Sequence, residues 1–335
     1  MKILIVTNEY VVKDERYMDD KGWSFGKAFE RLGIKTETFF YKSKGRLSFL
    51  EKDKRLKLLW RAHMNKQLFE HVKRSKPDVM LIIKGDTVEP ETLWKIRKKT
   101  GALLLNVFTD NPLLMGKFEA IEPCNYFFVK DSYILGVLRK AGLTNVHYLP
   151  QCTNPEVLRS VELNEEAAEY ASDLTLIGSM YPYRHKFIEQ LLEFSPSLWG
   201  RGWSRSPNSD IRKFYRGKDI RGTQKAKAIS GAAISLNLHH PLNDINGTNS
   251  RTFDIAACKG FQLADYKSDL EDLLKVGEEI ICFRTLEELK NLLRYYLIHP
   301  EEKAQIAEAA HKRVLREHTY DARAKEMLDI IRARY

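Results

Sequence analysis

The chain has 335 residues, 43% of them hydrophobic and 11% aromatic, which is an ordinary globular composition with room for about two domains. Eighteen glycines and eleven prolines exclude collagen-like and low-complexity classes, and 55 basic against 45 acidic side chains leave a net charge of +10. That excess is concentrated: twelve Lys and Arg stand against three acids between Lys42 and Lys76, so +9 of the +10 falls there. A polyanion-binding protein of this size would spread its charge over several elements, so nucleic acid is not the expected partner. Cys124, Cys152, Cys258 and Cys282 form no Cys-x-x-Cys pair and read as reduced core thiols rather than disulfides or a zinc site. The opening apolar run, Ile3 to Val6, is too short for a signal peptide and reads as a buried strand. No apolar run approaches the roughly 20 residues of a membrane span. A cytoplasmic protein is expected, with the Asn246-Gly247-Thr248 sequon unglycosylated.

Short apolar runs alternate with longer amphipathic stretches, the pattern of parallel α/β domains. Strands are predicted at 2–7, 36–41, 79–84, 103–109, 126–129 and 146–149, with helices at 25–32, 47–73, 89–99 and 132–141. Gly33 and Gly142 fit helix C-termini, and Pro90 a first-turn position. The acid-rich stretch 151–171 reads as a connection with a short helix. A second series then places strands at 174–177, 198–200, 233–238, 261–263 and 279–283. Its helices are expected at 183–193, 224–230, 250–258, 269–275, 286–296, 300–317 and 321–334. Two α/β halves of similar size make the cleft between them the natural ligand site.

Ligands of open parallel sheets sit beyond the carboxyl ends of the strands. In the first half those ends are Thr7-Asn8-Glu9, Lys84-Gly85-Asp86, Thr109-Asp110-Asn111-Pro112 and Lys130-Asp131-Ser132. In the second they are Gly178-Ser179, Asn237-Leu238-His239-His240 and Asp265. Around Gly178 and Ser179 a strand runs into a helix that carries Arg184 in its first turn. Free N–H groups and a guanidinium there suit a diphosphate, although an ordinary strand-loop-helix corner has the same pattern. In the run Asn246 to Asp254, Gly247 lets the backbone approach a ligand, and Thr248, Asn249 and Ser250 offer donors ahead of a helix. Asp254 lies one turn into it, placed for the two hydroxyls of a ribose. A plain capped helix is the alternative. There is no Gly-Lys-Ser/Thr phosphate loop, no GxGxxG after the first strand, no Gly-x-Ser-x-Gly elbow and no unambiguous Asp-x-Asp for a metal.

The run from Asn249 to Leu263, NSRTFDIAACKGFQL, resembles the signature of the CgeB-like glycosyltransferases. Gly277-Glu278-Glu279-Ile280, residues 296–302 (YLIHPEE) and Glu317-His318-Thr319-Tyr320 resemble its later landmarks, and residues 128–131 (FVKD) and 148–151 (YLPQ) its earlier ones. The resemblance spans essentially the whole chain. It implies a GT-B fold: two Rossmann-like doubly wound parallel-sheet domains facing a central cleft. The acceptor-side domain would be 1–160 and the nucleotide-sugar donor domain 161–318, with a helix in 319–335 crossing back onto the first domain. In related enzymes two acids eight positions apart bracket the donor loop, one touching the sugar and the other the ribose. Asp254 takes the second place and Asn246 stands in the first. Arg184 and Ser179 fit the diphosphate-contacting positions, and the loop 218–223, with Ile220, Arg221 and Gly222, fits the segment lining the base. Gly178, His239, Gly247, Thr248, Asn249, Ser250 and Arg251 complete the expected donor-binding set. Such folds need no metal or other cofactor, because Arg and helix N-termini take the leaving diphosphate's charge.

The implied activity is transfer of a sugar from a nucleotide-diphosphate sugar to a glycan, protein or lipid-linked acceptor of the cell envelope or spore surface. An inverting enzyme needs a carboxylate to deprotonate the acceptor, with Asp110 the first choice and Asp20 and Asp86 next. A retaining one can use the leaving phosphate. Apolar residues at helical period from Phe49 to Val72 predict one packed face on a basic helix. Residues 42–76 therefore either form a solvated basic face or dock on an anionic membrane or glycan, the former at the inner face of the membrane. A non-catalytic polyanion binder on the same scaffold and a nucleotide-sugar epimerase are the alternatives.

Overall fold

The computed structural model describes residues 1–8, 20–42, 54–162 and 165–333. Glu9, residues 43–53 of the basic stretch, with Phe49 and Lys52, and Arg334 lie outside that set, as do the side chains of Lys42, Lys54 and Arg55.

The first half alternates β1 (Lys2–Asn8), α1 (Lys21–Arg31), β2 (Lys35–Lys42), α2 (Lys54–Ser75), β3 (Val79–Ile83) and α3 (Pro90–Thr100). It continues with β4 (Leu103–Phe108), β5 (Tyr126–Val129), α4 (Ser132–Lys140) and β6 (Val146–Tyr148). The six strands are parallel, in the order β2-β1-β3-β4-β5-β6. The second half runs β7 (Ser172–Ile177), α5 (Pro182–Glu189), β8 (Ser197–Trp199), α6 (Ser209–Lys213), α7 (Gly222–Ser230), β9 (Ala232–Asn237) and α8 (Ser250–Ala257). After it come β10 (Gln262–Asp265), α9 (Leu270–Leu273), β11 (Ile281–Phe283), α10 (Leu286–Leu297), α11 (Pro300–Glu317) and α12 (Tyr320–Arg332). Its five strands are also parallel, ordered β8-β7-β9-β10-β11. Both sheets reverse their winding beside the first strand, between β1 and β3 and between β7 and β9. The crevice beyond the carboxyl ends at such a switch point is where these sheets hold ligands.

Strands covered on both faces read as unbroken apolar runs. On one face of the first sheet Leu4, Val6, Met80 and Ile82 pack with Leu68 and Val72 of α2, Leu93 and Ile96 of α3, and Ile134 and Leu138 of α4. On the other, Ile3, Ile5 and Leu81 meet Phe25, Ala28 and Phe29 of α1. That second face is completed from the far end of the chain, by Tyr320, Ala324, Met327 and Leu328 of α12. The Tyr320 ring stands edge-on to Phe25 at 4.9 Å, and Arg31 Nε donates to Asp321 at 2.8 Å. Each large apolar side chain buried this way is worth roughly 1.5–3 kcal/mol, so α12 belongs energetically to the first sheet.

Two local expectations are corrected. α1 begins at Lys21, four residues before the predicted start, because the Asp20 carboxylate accepts from Trp23 N at 3.0 Å and caps the helix. The basic helix does not pack along its length. Leu68 and Val72 are buried, but Leu56 and Leu59 are 37% and 70% exposed, and Leu58 is 67% exposed. Periodicity predicted one continuous apolar face, yet only the C-terminal half of α2 has sheet beneath it.

Candidate functional site

A 390 Å³ cavity lies between the two sheets, at both switch points. The first domain contributes Thr7 and Asn8 from the end of β1, Ile83 and Lys84 from the end of β3, Thr109 beyond β4, and Asp20 and Lys21 at the start of α1. The second contributes Ile177 and Gly178 after β7, Ile220, Arg221 and Lys225 around the start of α7, and Ser250, Arg251 and Asp254 of α8. Of the residues singled out from sequence, Asp20, Gly178, Ile220, Arg221, Ser250, Arg251 and Asp254 thus meet in one space.

Arg251 lies on its second-domain wall, and Arg184, buried behind Gly178 and outside the lining, sets a second guanidinium beside it. Arg184 Nη2 and Arg251 Nη2 both donate to the Leu238 carbonyl, at 2.9 and 2.8 Å, and Arg184 Nη1 donates to the Ser179 carbonyl at 2.6 Å. Neither guanidinium has an ion-pair partner among the described residues. Burial, reinforced by Arg184, pushes the Arg251 guanidinium down to about 10. Gly178 (φ +155°) lets them converge, since a Cβ there would lie 2.8 Å from Arg184 Nη1 and 3.2 Å from Arg251 Nη1. Helix ends add to the field. α7 and α8 begin at this wall with no side-chain cap, and the Asn249 amide turns away to donate to Asn237 Oδ1 at 3.0 Å. α1 and α4 of the first domain, by contrast, are closed by Asp20 and Asp131. Uncapped first-turn N–H groups carry the positive end of the helix dipole. Gly222 opens α7 at φ +52°.

Below the guanidiniums, Lys225 Nζ pairs with Asp254 Oδ2 at 2.6 Å in a nearly buried position. Across the cavity Lys21 donates to Gln151 Oε1 at 2.5 Å, and burial holds its ammonium below the usual lysine range although Asp254 and Asp110 oppose the shift. Lys21 and Lys225 were not among the sequence candidates. Their signal was a lysine in the first turn of a helix, which does not stand out among 55 basic residues.

The carboxylates proposed as acceptor bases separate. Asp110 is ion-paired to the cavity-lining Lys84 at 2.5 Å. Asp20 lines the cavity but serves as the α1 cap. Asp86 is elsewhere: it accepts from the Tyr41 hydroxyl at 3.2 Å and lines a different pocket beside α2.

The donor-loop expectation changes most. Asn246, Gly247 and Thr248 are absent from the cavity wall because that loop is clasped by the first domain. Asp131 Oδ2 accepts from the N–H groups of Ile245 (2.7 Å), Asn246 (3.1 Å) and Gly247 (2.8 Å), while Oδ1 caps α4. A Cβ at Gly247 would stand 2.5 Å from the Lys130 carbonyl oxygen, so this glycine permits approach of the first domain's backbone rather than of a ligand. The Lys130 ammonium is paired with Asp244 where both side chains are under 5% exposed, and it also donates to the Thr248 carbonyl at 3.3 Å. Burial alone would raise the Asp244 carboxyl, but Lys130 and His239 outweigh it and hold it below the usual aspartate range. His239 is likewise withdrawn, its Nδ1 2.8 Å from Asp265 Oδ1. Among the described residues no three His, Cys, Asp or Glu side chains gather as a metal site, and no helix is long and apolar enough to cross a membrane.

A family model described as glycosyl transferase-like matches residues 184–329. The spore protein CgeB of Bacillus subtilis is 24% identical over 267 residues, covering 73% of this chain and 80% of its own length. Sucrose-phosphate synthase from Thermosynechococcus elongatus superposes with a TM-score of 0.69 at 13% identity over 99% of both chains. Anabaena Alr3699/HepE in complex with UDP-glucose does so at 0.65 and 10% identity, over 99% of this chain and all of its own. Two doubly wound sheets around one cleft and superposition over nearly whole chains give this protein the GT-B fold, and with a glycosyl transferase-like second half it is a glycosyltransferase similar to the spore protein CgeB.

Proposed function

We propose that this glycosyltransferase uses a nucleotide-diphosphate sugar as donor. The sugar passes, without a metal ion, to a glycan, protein or lipid-linked acceptor at the cell envelope or spore surface. The observation that carries the donor half is Arg251 on the cavity wall with Arg184 buried behind Gly178, neither with a carboxylate partner among the described residues, beside the uncapped starts of α7 and α8. Guanidiniums and helix N-termini are the groups that bind diphosphates in protein sites. Fixed before reaction, they stabilise the charge that develops on the leaving diphosphate without reorganising. In this reading Arg184, Arg251 and the start of α8 hold the diphosphate, and Asp254, oriented by Lys225, takes the ribose hydroxyls. Ile220 and Arg221 border the base. The acceptor enters against Thr7, Asn8, Lys84 and Thr109, and Asp110 is the carboxylate assigned to its hydroxyl. The UDP-glucose complex of a similar structure supports this donor class, and the relative CgeB, a spore protein by name, supports a setting in the spore. Leu58 and Leu59, exposed beside Lys57 and Arg61 on α2, make peripheral contact with an anionic membrane part of the same proposal.

The test is a calorimetric and thermal-shift panel of UDP, GDP, TDP and CMP on the full chain. One nucleoside diphosphate should stabilise the protein, and Arg251→Gln should weaken it about tenfold or more, the worth of one charge-assisted hydrogen bond. Transfer should persist in EDTA. No response to any nucleotide refutes the donor reading, and abolition of transfer by EDTA refutes the metal-free step.

A further inference from the structure

A second pocket of 260 Å³ opens between α2 and the β3–α3 turn, lined by Tyr41, Lys57, Trp60, Arg61, Met64, Asp86, Thr87 and Lys117. It is smaller than the about 300–1,000 Å³ of a drug-sized ligand site, a size for one small polar molecule. Three cations face one carboxylate on its wall. Two donors of its lining residues are buried without an acceptor: Trp60 Nε1 and Arg61 Nε have no hydrogen-bond partner among the described residues. Arg61 is held from behind by Glu89, 2.9 Å from Nη2, which fixes the guanidinium while leaving Nε unused. Buried donors of this kind are costly unless a ligand or water completes them. Tyr41 ties the pocket to the main cleft. Its hydroxyl, whose single proton is shared between Asp86 and the Ile83 carbonyl at 3.2 Å each, accepts from Gly85 N at 3.2 Å, and the Ile83-Lys84 end of this same turn lines the donor cavity.

From these observations we infer that the pocket is a subsite for one anionic saccharide unit of the acceptor, a sugar carrying a carboxylate or phosphate. The inference rests on the reading of the chain's acceptor as a glycan-bearing molecule. The indole supplies a flat apolar face for the C–H side of a sugar ring and an N–H for one of its oxygens. Lys57, Arg61 and Lys117, all on the pocket wall, meet the anionic group, the guanidinium of Arg61 being steadied by Glu89. Asp86 and Thr87 supply oxygens for hydroxyls, so Asp86, one of the sequence-based choices for acceptor base, becomes an acceptor-binding residue instead.

Isothermal titration of the full chain with glucuronate, glucose 6-phosphate, glucose and inorganic phosphate tests this, with the preferred nucleoside diphosphate titrated in parallel. Both anionic sugars should bind at one site per chain, about tenfold tighter than glucose or phosphate alone. Arg61→Gln and Lys117→Gln, the latter on a loop outside α2, should each weaken the anionic sugars by a similar factor and leave nucleotide binding unchanged. Phosphate binding as tightly as glucose 6-phosphate overturns the saccharide assignment. Binding that neither variant alters, or no binding of either sugar by a chain that binds nucleotide, overturns the pocket. Failure of nucleotide binding while the sugars still bind through Arg61 leaves the subsite standing and refutes the donor reading alone.

Discussion

Lys130→Met isolates the electrostatics of the interdomain clasp. The substitution keeps the side chain's length and apolar stem but removes the ammonium that pairs with Asp244 in a site where both side chains are under 5% exposed. Breaking a buried pair from one side typically costs about 3–5 kcal/mol, because the surviving charge is left in a poor solvent. The variant has one escape, to fold with Asp244 protonated. Against an ordinary aspartate near 3.9, that costs roughly 4 kcal/mol at pH 7 and about 1.5 kcal/mol at pH 5. The signs follow from linkage. In the parent, the Asp244 carboxyl lies below its unfolded value, so its contribution is fully present above the unfolded pKa and fades only as pH falls through the lower, folded one. Between pH 5 and 7 that contribution is flat. In the variant, burial is opposed only by His239 and the His240 N–H, which donates to Asp244 Oδ2 at 3.0 Å; the carboxyl is expected to rise above its unfolded value, so stability falls as pH increases across the same window. Urea denaturation of both proteins at pH 5 and pH 7 should therefore show a gap of about 4 kcal/mol at pH 7 narrowing to about 1.5 at pH 5. Lys130→Met/Asp244→Asn should recover most of the pH 7 loss. A loss under about 1 kcal/mol at pH 7, or an equal loss at both pH values, would refute the reasoning.

Two further substitutions separate the cleft from the scaffold. Gly178→Ala places a methyl against the guanidiniums of Arg184 and Arg251 at a φ of +155° that residues with a side chain rarely adopt, so nucleotide affinity should drop about tenfold and Tm should fall as well, as calorimetry and thermal melts would report. Unchanged nucleotide affinity would show that Gly178 serves the fold alone. Met327→Ala, fully buried on α12, should cost about 2–5 kcal/mol in chemical denaturation, although the residue is nearly 180 positions beyond the last strand of the sheet it covers. An unchanged midpoint would mean that α12 contributes no packing energy to that sheet.

The strands and most helices were legible because their signals are short-range. Apolar runs such as Val79–Ile83 are bounded by their own punctuation, Gly33 and Gly142 adopt the positive φ expected beyond a helix end, and Pro90 begins α3. The chemistry of the second-domain wall was partly legible for the same reason, since Gly178, Ser250, Arg251 and Asp254 lie within a few residues of strand ends or helix starts. What the sequence by itself determined is the set of elements and the residues that can reach a strand's carboxyl end. Which of those residues face a ligand was decided only by the tertiary structure. Gly247, read locally, is a glycine before a helix. Its neighbour in space is Asp131, 116 residues away, which consumes the backbone donors that the motif seemed to reserve for phosphate. Lys130-Asp131-Ser132 has the same strand-end pattern as Lys84-Gly85-Asp86, yet the first clasps the other domain while the second divides between two pockets. Strand periodicity and capping are properties of a few consecutive residues. The partner of a polar group at the end of a strand is set by where two separately folded sheets come to rest against each other, and no spacing along the chain encodes that distance.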